Sequence, residues 1–149
     1  MSEKVLALVV THNRKHLLAE CLDLLAAQDR PPDHVLVVDN ASTDGTPALL
    51  AERGVEHLRL ERNTGAAGGF HFGLAEARRR NFDWVWLLDD DAHPRPDSLQ
   101  KLLEGLERAR GIGPEPNLVL SRLLWVDGRV HPMGIPWPDL RRPGLMLKA

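Results

Sequence analysis

The sequence predicts an α/β domain built on a mainly parallel sheet. Three observations predict it. Apolar, strand-like runs alternate with amphipathic helical stretches four times between residues 4 and 110. Three of the runs, KVLALVV, HVLVV and WVWLL, are uninterrupted, as strands covered on both faces are. Each run stops abruptly in a polar loop, and the last stops in three consecutive acids, Asp89-Asp90-Asp91.

Lys4 to Val10 reads as the first strand and breaks at Thr11-His12-Asn13-Arg14. From Lys15 to Gln28 the residues Leu17, Leu18, Cys21, Leu22, Leu24 and Leu25 recur at helical spacing, until Arg30-Pro31-Pro32-Asp33 ends the helix. His34 to Val38 is a second buried strand. The turn-rich loop Asp39 to Thr46 follows it, with Thr46 as an expected N-cap before Pro47. A short helix then runs to Arg53 and stops at Gly54. Val55 to Leu60 alternates and suits an edge strand. The stretch Arg62 to Phe70 holds Gly65, Gly68 and Gly69, and glycine inside a helix costs about 1 kcal/mol against alanine. The cluster therefore points to a close approach to the backbone; the plainer reading is a loose turn before a helix ending at Arg78-Arg79-Arg80. After the strand Trp84 to Leu88, Pro94 and Pro96 open a helix from Asp97 to Arg110, with Leu99, Leu102, Leu103 and Leu106 on one face. Asn117 to Val126 reads as a strand, and Asp127-Gly128 as a two-residue hairpin returning through Arg129-Val130-His131.

Composition bounds the function. At 149 residues, 43% hydrophobic and 27% charged, the chain suits one globular domain: a core over residues 1–110 and the start of a further region over 111–149. The net charge of -2 supplies no overall positive field, which argues against a nucleic-acid partner. A single cysteine, Cys21, in a helical pattern allows no intrachain disulfide, so a reducing, cytoplasmic setting is expected. Met-Ser-Glu-Lys leads straight into a strand without a signal peptide, and no apolar run approaches the ~20 residues of a membrane span.

The acids carry the chemistry. Ligands of open α/β sheets bind at the carboxyl ends of the strands, where Asp89 to Asp91 fall. Alternation along a strand would put Asp89 and Asp91 on one face and Asp90 on the other. Adjacent carboxylates repel one another, and a divalent cation is the usual remedy. The competing reading is a solvated cluster in which Asp91 or Asp97 caps the next helix. Their position at the end of a strand favours the metal. Together the four carboxyl-end loops offer arginines and backbone amides for phosphate, single acids for base and ribose, and an acid pair for a cation. That set fits a nucleotide diphosphate. The loop after the first strand is neither Gly-x-Gly-x-x-Gly nor a Gly-Lys-Ser/Thr phosphate loop, and no serine sits on a Gly-x-Ser-x-Gly elbow. His12, His71 and His93 lack the spacing of a zinc site.

In order and spacing, VVTHNR, VVDNASTDGT, RNTGAAGGFHFGL and WLLDDDAHPRPDSL resemble the inverting, metal-dependent glycosyltransferases of family 2 with the GT-A fold. The Asn63 to Phe70 segment looks most like the branch of galactofuranosyl- and rhamnosyltransferases. The resemblance covers about residues 4 to 110 and implies a three-layer nucleotide-diphospho-sugar transferase fold. It further implies that Thr11, Asn13 and Arg14 line the nucleotide pocket with His12 nearby, and that Asp39 bonds a pyrimidine base. Arg62 and Asn63 would flank the nucleotide, and Gly65, Gly68 and Gly69 would clear room for the donor sugar. Asp89 to Asp91 would form the family's DXD element: Asp91 would bind Mn²⁺ or Mg²⁺ on the diphosphate, Asp89 the ribose or the same ion, and Asp90 would belong with them to the nucleotide-sugar site. Expected partners are a UDP- or dTDP-linked sugar and a glycan or lipid-linked acceptor, with peripheral membrane association and self-association open. Family members usually continue further and supply a catalytic base from an acidic pair. No such pair occurs here: Asp139 sits among prolines without an acidic neighbour, and His131 is no better. The expectation is the donor-binding half of a transferase, with a non-catalytic nucleotide-binding module as the alternative.

Overall fold

The computed structural model describes residues 3–125 and 127–132. The chain divides into two compact units, Met1–Lys101 and Leu102–Ala149. The elements in order are β1 (Val5–Thr11), α1 (Lys15–Ala26), β2 (His34–Asp39), α2 (Thr46–Glu52), β3 (His57–Arg59), α3 (Gly65–Arg79), β4 (Trp84–Asp89) and α4 (Ser98–Arg110). The four strands form one parallel sheet in the order β3-β2-β1-β4.

Every residue of β1 is buried, because its side chains alternate between two helical layers. Ala7 and Val9 pack with Leu18, Cys21, Leu22 and Leu25 of α1 and with Leu49 and Leu50 of α2. Leu6, Leu8 and Val10 pack on the other face with Ala77 of α3, and Phe70 and Phe82 flank that cluster. The chain moves outward from β1 through β2 to β3, then returns across the sheet to place β4 on β1's other side. The strand order thus reverses between β1 and β4, where such sheets open a crevice at their carboxyl ends.

The structure differs from expectation at particular places. β4 was expected to be covered on both faces, yet among the described residues it is an edge strand paired only with β1, and Leu87 is 47% exposed. An apolar run shows that a strand can be buried, not that a neighbour covers it. The glycine cluster does not precede α3 but forms its first turns. A Cβ on Gly69 would stand 2.4 Å from Val10 Cγ1, and one on Gly73 would stand 2.4 Å from Leu8 Cδ1. What approaches these glycines is the sheet, and the close seating of α3 on β1 offsets their poor helix propensity. Thr46 is the first residue of α2 rather than its cap; Asp44 Oδ1 accepts from Thr46 N at 3.1 Å and from its hydroxyl at 2.6 Å.

In the second unit, the strand expected over Asn117 to Val126 is reduced among the described residues to an antiparallel bridge between Leu124 and Val130. Gly128 N donates to Trp125 O at 2.8 Å and Trp125 N to Arg129 O at 2.7 Å, so the turn is wider than a two-residue hairpin. Gly128 takes the left-handed conformation at φ 84° that such a turn requires. Leu118, Leu120 and Trp125 are exposed. No helix among the described residues is long and apolar enough to cross a membrane.

Gly73→Ala tests the seating of α3. Alanine in a helix normally gains about 1 kcal/mol over glycine. Here the added methyl meets the buried Leu8, and overpacking of this kind costs roughly 1–3 kcal/mol. Urea unfolding is expected to show a net loss of stability; a gain would mean that α3 is not pressed against β1.

Candidate functional site

The site is built at the carboxyl end of β1. Thr11, its last residue, is 1% exposed, and its hydroxyl donates to Asp90 Oδ2 at 2.7 Å. Asp90, just past β4, is 4% exposed. Its other oxygen accepts from Arg14 Nη1 at 3.2 Å, and the same nitrogen reaches Asp91 Oδ2 at 3.1 Å. β4 ends at Asp89, so strand alternation no longer governs the next two acids: Arg14 gathers Asp90 and Asp91 together, where Asp89 and Asp91 were expected to share a face. Asp90 and then Asp91 raise the Arg14 pKa, so the guanidinium stays charged. Desolvation, followed by repulsion from Asp91 and Asp90, raises the carboxyl of Asp89 above its ordinary range.

Asn13 adopts a left-handed backbone at φ 53°. Its N–H donates to Ser42 Oγ at 3.0 Å, and its side-chain oxygen accepts from Thr43 N at 2.6 Å. His12 Nδ1 lies 2.8 Å from Asn40 O. These contacts tie the β1 loop to the β2 loop. Asn40, 2% exposed, carries the tie onward: its oxygen accepts from Thr64 N at 2.8 Å and its amide donates to Gly65 O at 3.0 Å. Asp44 holds both helices of that side, accepting from Lys15 N at 2.9 Å as well as from Thr46. Burial alone would raise the Asp44 carboxyl, but these hydrogen bonds outweigh it and hold the carboxyl below its usual range.

Asp39 is fully buried. Oδ1 accepts from Ser42 N at 2.9 Å, and Oδ2 pairs with Arg59 Nη1 at 2.6 Å, while Arg59 Nη2 donates to Ser42 O at 2.9 Å. The residue expected to meet a base is thus engaged within the chain, and Arg59, with its side chain 47% exposed, presents the solvent side of the pair. Of the expected flanking residues, Arg62 and Asn63 are exposed, and Asn63 Oδ1 accepts from Gly65 N at 2.8 Å. Gly65 has φ 72°, a turn only glycine makes readily. Gly68 faces Thr64 and Gly69 faces Val10, so a Cβ on either would collide within the chain.

The sequence reading missed Arg59, Asn40 and Asp44. Asn40 and Asp44 lie inside the turn-rich VVDNASTDGT stretch, which was a usable signal; nothing in the sequence marks Arg59. Cys21, buried against the sheet, has its thiol pushed up to about 12, first by burial and then by Asp90 and Asp91, which suits a core residue rather than a nucleophile. Among the described residues no three His, Cys, Asp or Glu side chains are gathered to hold a metal by themselves. His93 Nε2 lies 3.6 Å from Glu20, and His71 packs edge-on against Phe72. In the second unit the His131 ring sits 4.2 Å from that of Trp125, and Asp139 lies outside the described residues.

Thr11→Val keeps the shape of the side chain and removes the hydroxyl bonded to a buried carboxylate. Hydrogen bonds to charged groups are worth about 1.5–3 kcal/mol, so unfolding at neutral pH is expected to show a loss of that order. An unchanged midpoint would mean that Asp90 is not anchored through Thr11.

The chain is 47% identical over 97 residues to galactofuranosyltransferase GlfT1 of Mycobacterium tuberculosis, covering 62% of this chain and 32% of that protein. It is 32% identical over 144 residues to the succinoglycan biosynthesis protein ExoO of Rhizobium meliloti, covering 95% of this chain and 40% of that one. The matches therefore span 32% and 40% of these two relatives' length. Among solved structures, mannosyltransferase PcManGT from Pyrobaculum calidifontis, in complex with GDP-Man and Mn²⁺, superposes with a TM-score of 0.63 at 30% identity, over 71% of this chain and 33% of that chain. S. aureus TarS shares the fold, with a TM-score of 0.62 at 22% identity over 85% of this chain and 43% of that chain. The parallel sheet between helical layers is that of the GT-A glycosyltransferases. The family model for glycosyl transferase family 2 matches residues 7–114, and the chain belongs to that family.

Proposed function

We propose that the chain is the donor-binding portion of a glycosyltransferase that moves a sugar from a nucleotide diphosphate to a hydroxyl acceptor, with inversion. The observation that carries this reading is the charge arrangement at the β1–β4 reversal: Asp89 and Asp91 exposed to solvent, with Arg14 beside them. A sugar diphosphate brings its own negative charge, and acids alone would repel it. Mg²⁺ is held by one or two carboxylates, with phosphates and water completing the shell, and Mn²⁺ also favours oxygen donors. Asp91, with Asp89 beside it, fits that role for a cation arriving with the diphosphate. PcManGT, a structure in complex with Mn²⁺, supports a divalent ion as the partner of such a site. When bound, such an ion neutralises charge developing on the departing nucleoside diphosphate.

The remaining work falls to this chain's own groups. Arg14 offers a fixed positive charge to phosphate oxygens. Asp39 and Arg59 form the base end of the pocket. Two carboxylate lone pairs remain beyond the contacts with Ser42 and Arg59, so with a small shift of Arg59 the carboxylate accepts from the N3–H of uracil or thymine. Asp90 acts from behind by holding Arg14. A glycan or lipid-linked acceptor fits what the relatives' names describe, among them an undecaprenyl-phosphate mannosyltransferase and a decaprenol-linked rhamnosyltransferase. The relatives' greater length leaves room for the acceptor site and the base outside this stretch.

Calorimetry with UDP, dTDP, GDP and ADP tests the donor assignment. Pyrimidine nucleotides are expected to bind tighter with Mn²⁺ than with EDTA, and Asp91→Ala should abolish that difference while the domain stays folded. Equal affinity in Mn²⁺ and EDTA, or tighter binding of GDP, would overturn the metal or the base assignment respectively. Without a positioned base, transfer should fall short of a complete enzyme by on the order of 10²–10⁴. Rapid transfer to a defined acceptor by this chain alone would show that the base lies within it.

A further inference from the structure

Three consecutive carboxylates meet one guanidinium at the end of β1, and the way they share it is informative. Arg14 uses a single nitrogen, Nη1, for both Asp90 and Asp91. Among the described residues no contact is recorded for its Nη2 or Nε, and the side chain is 52% exposed, so it has room to move. Its two partners are unlike. Asp90 is buried and also held by Thr11, whereas the side chain of Asp91 is 53% exposed. One contact is thus anchored and the other is easily surrendered.

We propose that Arg14 is a placeholder cation: it neutralises Asp91 while the site is empty, and exchanges Asp91 for the diphosphate when a divalent ion takes that carboxylate. This rests on the metal reading given above. A divalent ion and a guanidinium on the same carboxylate repel each other, and the repulsion is strong where water is partly excluded. The mobile arm is Arg14, whose bond to Asp90 works as a pivot that keeps the guanidinium at the mouth of the crevice. Planar guanidinium matches phosphate oxygens through paired donors. The exchange therefore keeps each charge compensated in both states, and it makes metal and nucleotide binding mutually favourable.

The prediction separates two affinities that a purely structural residue would move together. Arg14→Gln should bind Mn²⁺ alone roughly tenfold tighter than the parent chain, because the competing cation is gone. The same variant should bind UDP at saturating Mn²⁺ roughly tenfold more weakly, because a phosphate contact is lost. Arg14→Lys, which keeps the charge, should restore most of the parent's Mn²⁺ affinity. Titration of Mn²⁺ followed by electron paramagnetic resonance reads the first quantity, calorimetry with UDP the second, and circular dichroism verifies folding. Unchanged or weaker Mn²⁺ binding by folded Arg14→Gln overturns the exchange while leaving the donor assignment standing. Tighter Mn²⁺ binding with unaltered UDP affinity overturns the hand-over to the diphosphate. A parent chain that binds no Mn²⁺ even with UDP overturns the metal reading and the placeholder with it.

Discussion

One buried carboxylate organises the carboxyl edge of the sheet. Asp90 is removed from water beside the end of β1, and a charge in that position is tolerable only when its oxygens are engaged. Thr11 meets one oxygen and Arg14 the other, the first from the last position of β1 and the second from the loop that follows it. That single requirement fixes the end of β4 against the end of β1 and turns Arg14 toward the acids. It leaves Asp89 and Asp91 facing outward with their repulsion only partly relieved. The affinity for a cation proposed for this site would follow from how the middle acid is buried.

A second constraint holds the loops around it. Loops at sheet ends are usually mobile, yet here short polar side chains tie the backbone of one loop to the next. Asn13 binds the loop after β2, Asn40 binds the start of α3, and Asp44 binds the starts of α1 and α2. The left-handed backbone at Asn13 and Ala41 belongs to the same lacing. Such preorganisation would lower the ordering cost of binding an extended ligand such as the proposed nucleotide sugar.

Much of this was legible in the sequence, for physical reasons that also explain where legibility stopped. The apolar runs and leucine spacing gave the alternation of strands and helices, because burial on both faces leaves no other pattern for β1 and β2. Asp89 to Asp91 pointed to a site because three adjacent acids repel one another, and the structure brings two of them, Asp90 and Asp91, to one guanidinium. The edge position of β4 was not legible, since WVWLL reads alike with one neighbour or two. Gly69, in the glycine cluster, signalled a close approach correctly but not its partner, which is β1, and Gly73, outside that cluster, makes the same approach unannounced. Arg59 was invisible: on a short alternating strand an arginine looks solvated, and only the register of β3 against β2, Arg59 opposite Asp39, brings it to the acid. The pairing of Asp90 with Asp91 through Arg14 was misjudged because alternation was carried past the end of the strand.

The central claim is that the β1–β4 reversal receives a nucleotide diphosphate and a divalent ion on Asp91. A crystal of the chain grown with UDP and Mn²⁺, measured at an X-ray energy where manganese scatters anomalously, addresses it directly. The predicted result is an anomalous peak in contact with the Asp91 carboxylate and a phosphate oxygen, at the carboxyl ends of β1 and β4. A well-ordered nucleotide whose phosphates lie away from Asp91, with no manganese peak there, would contradict it.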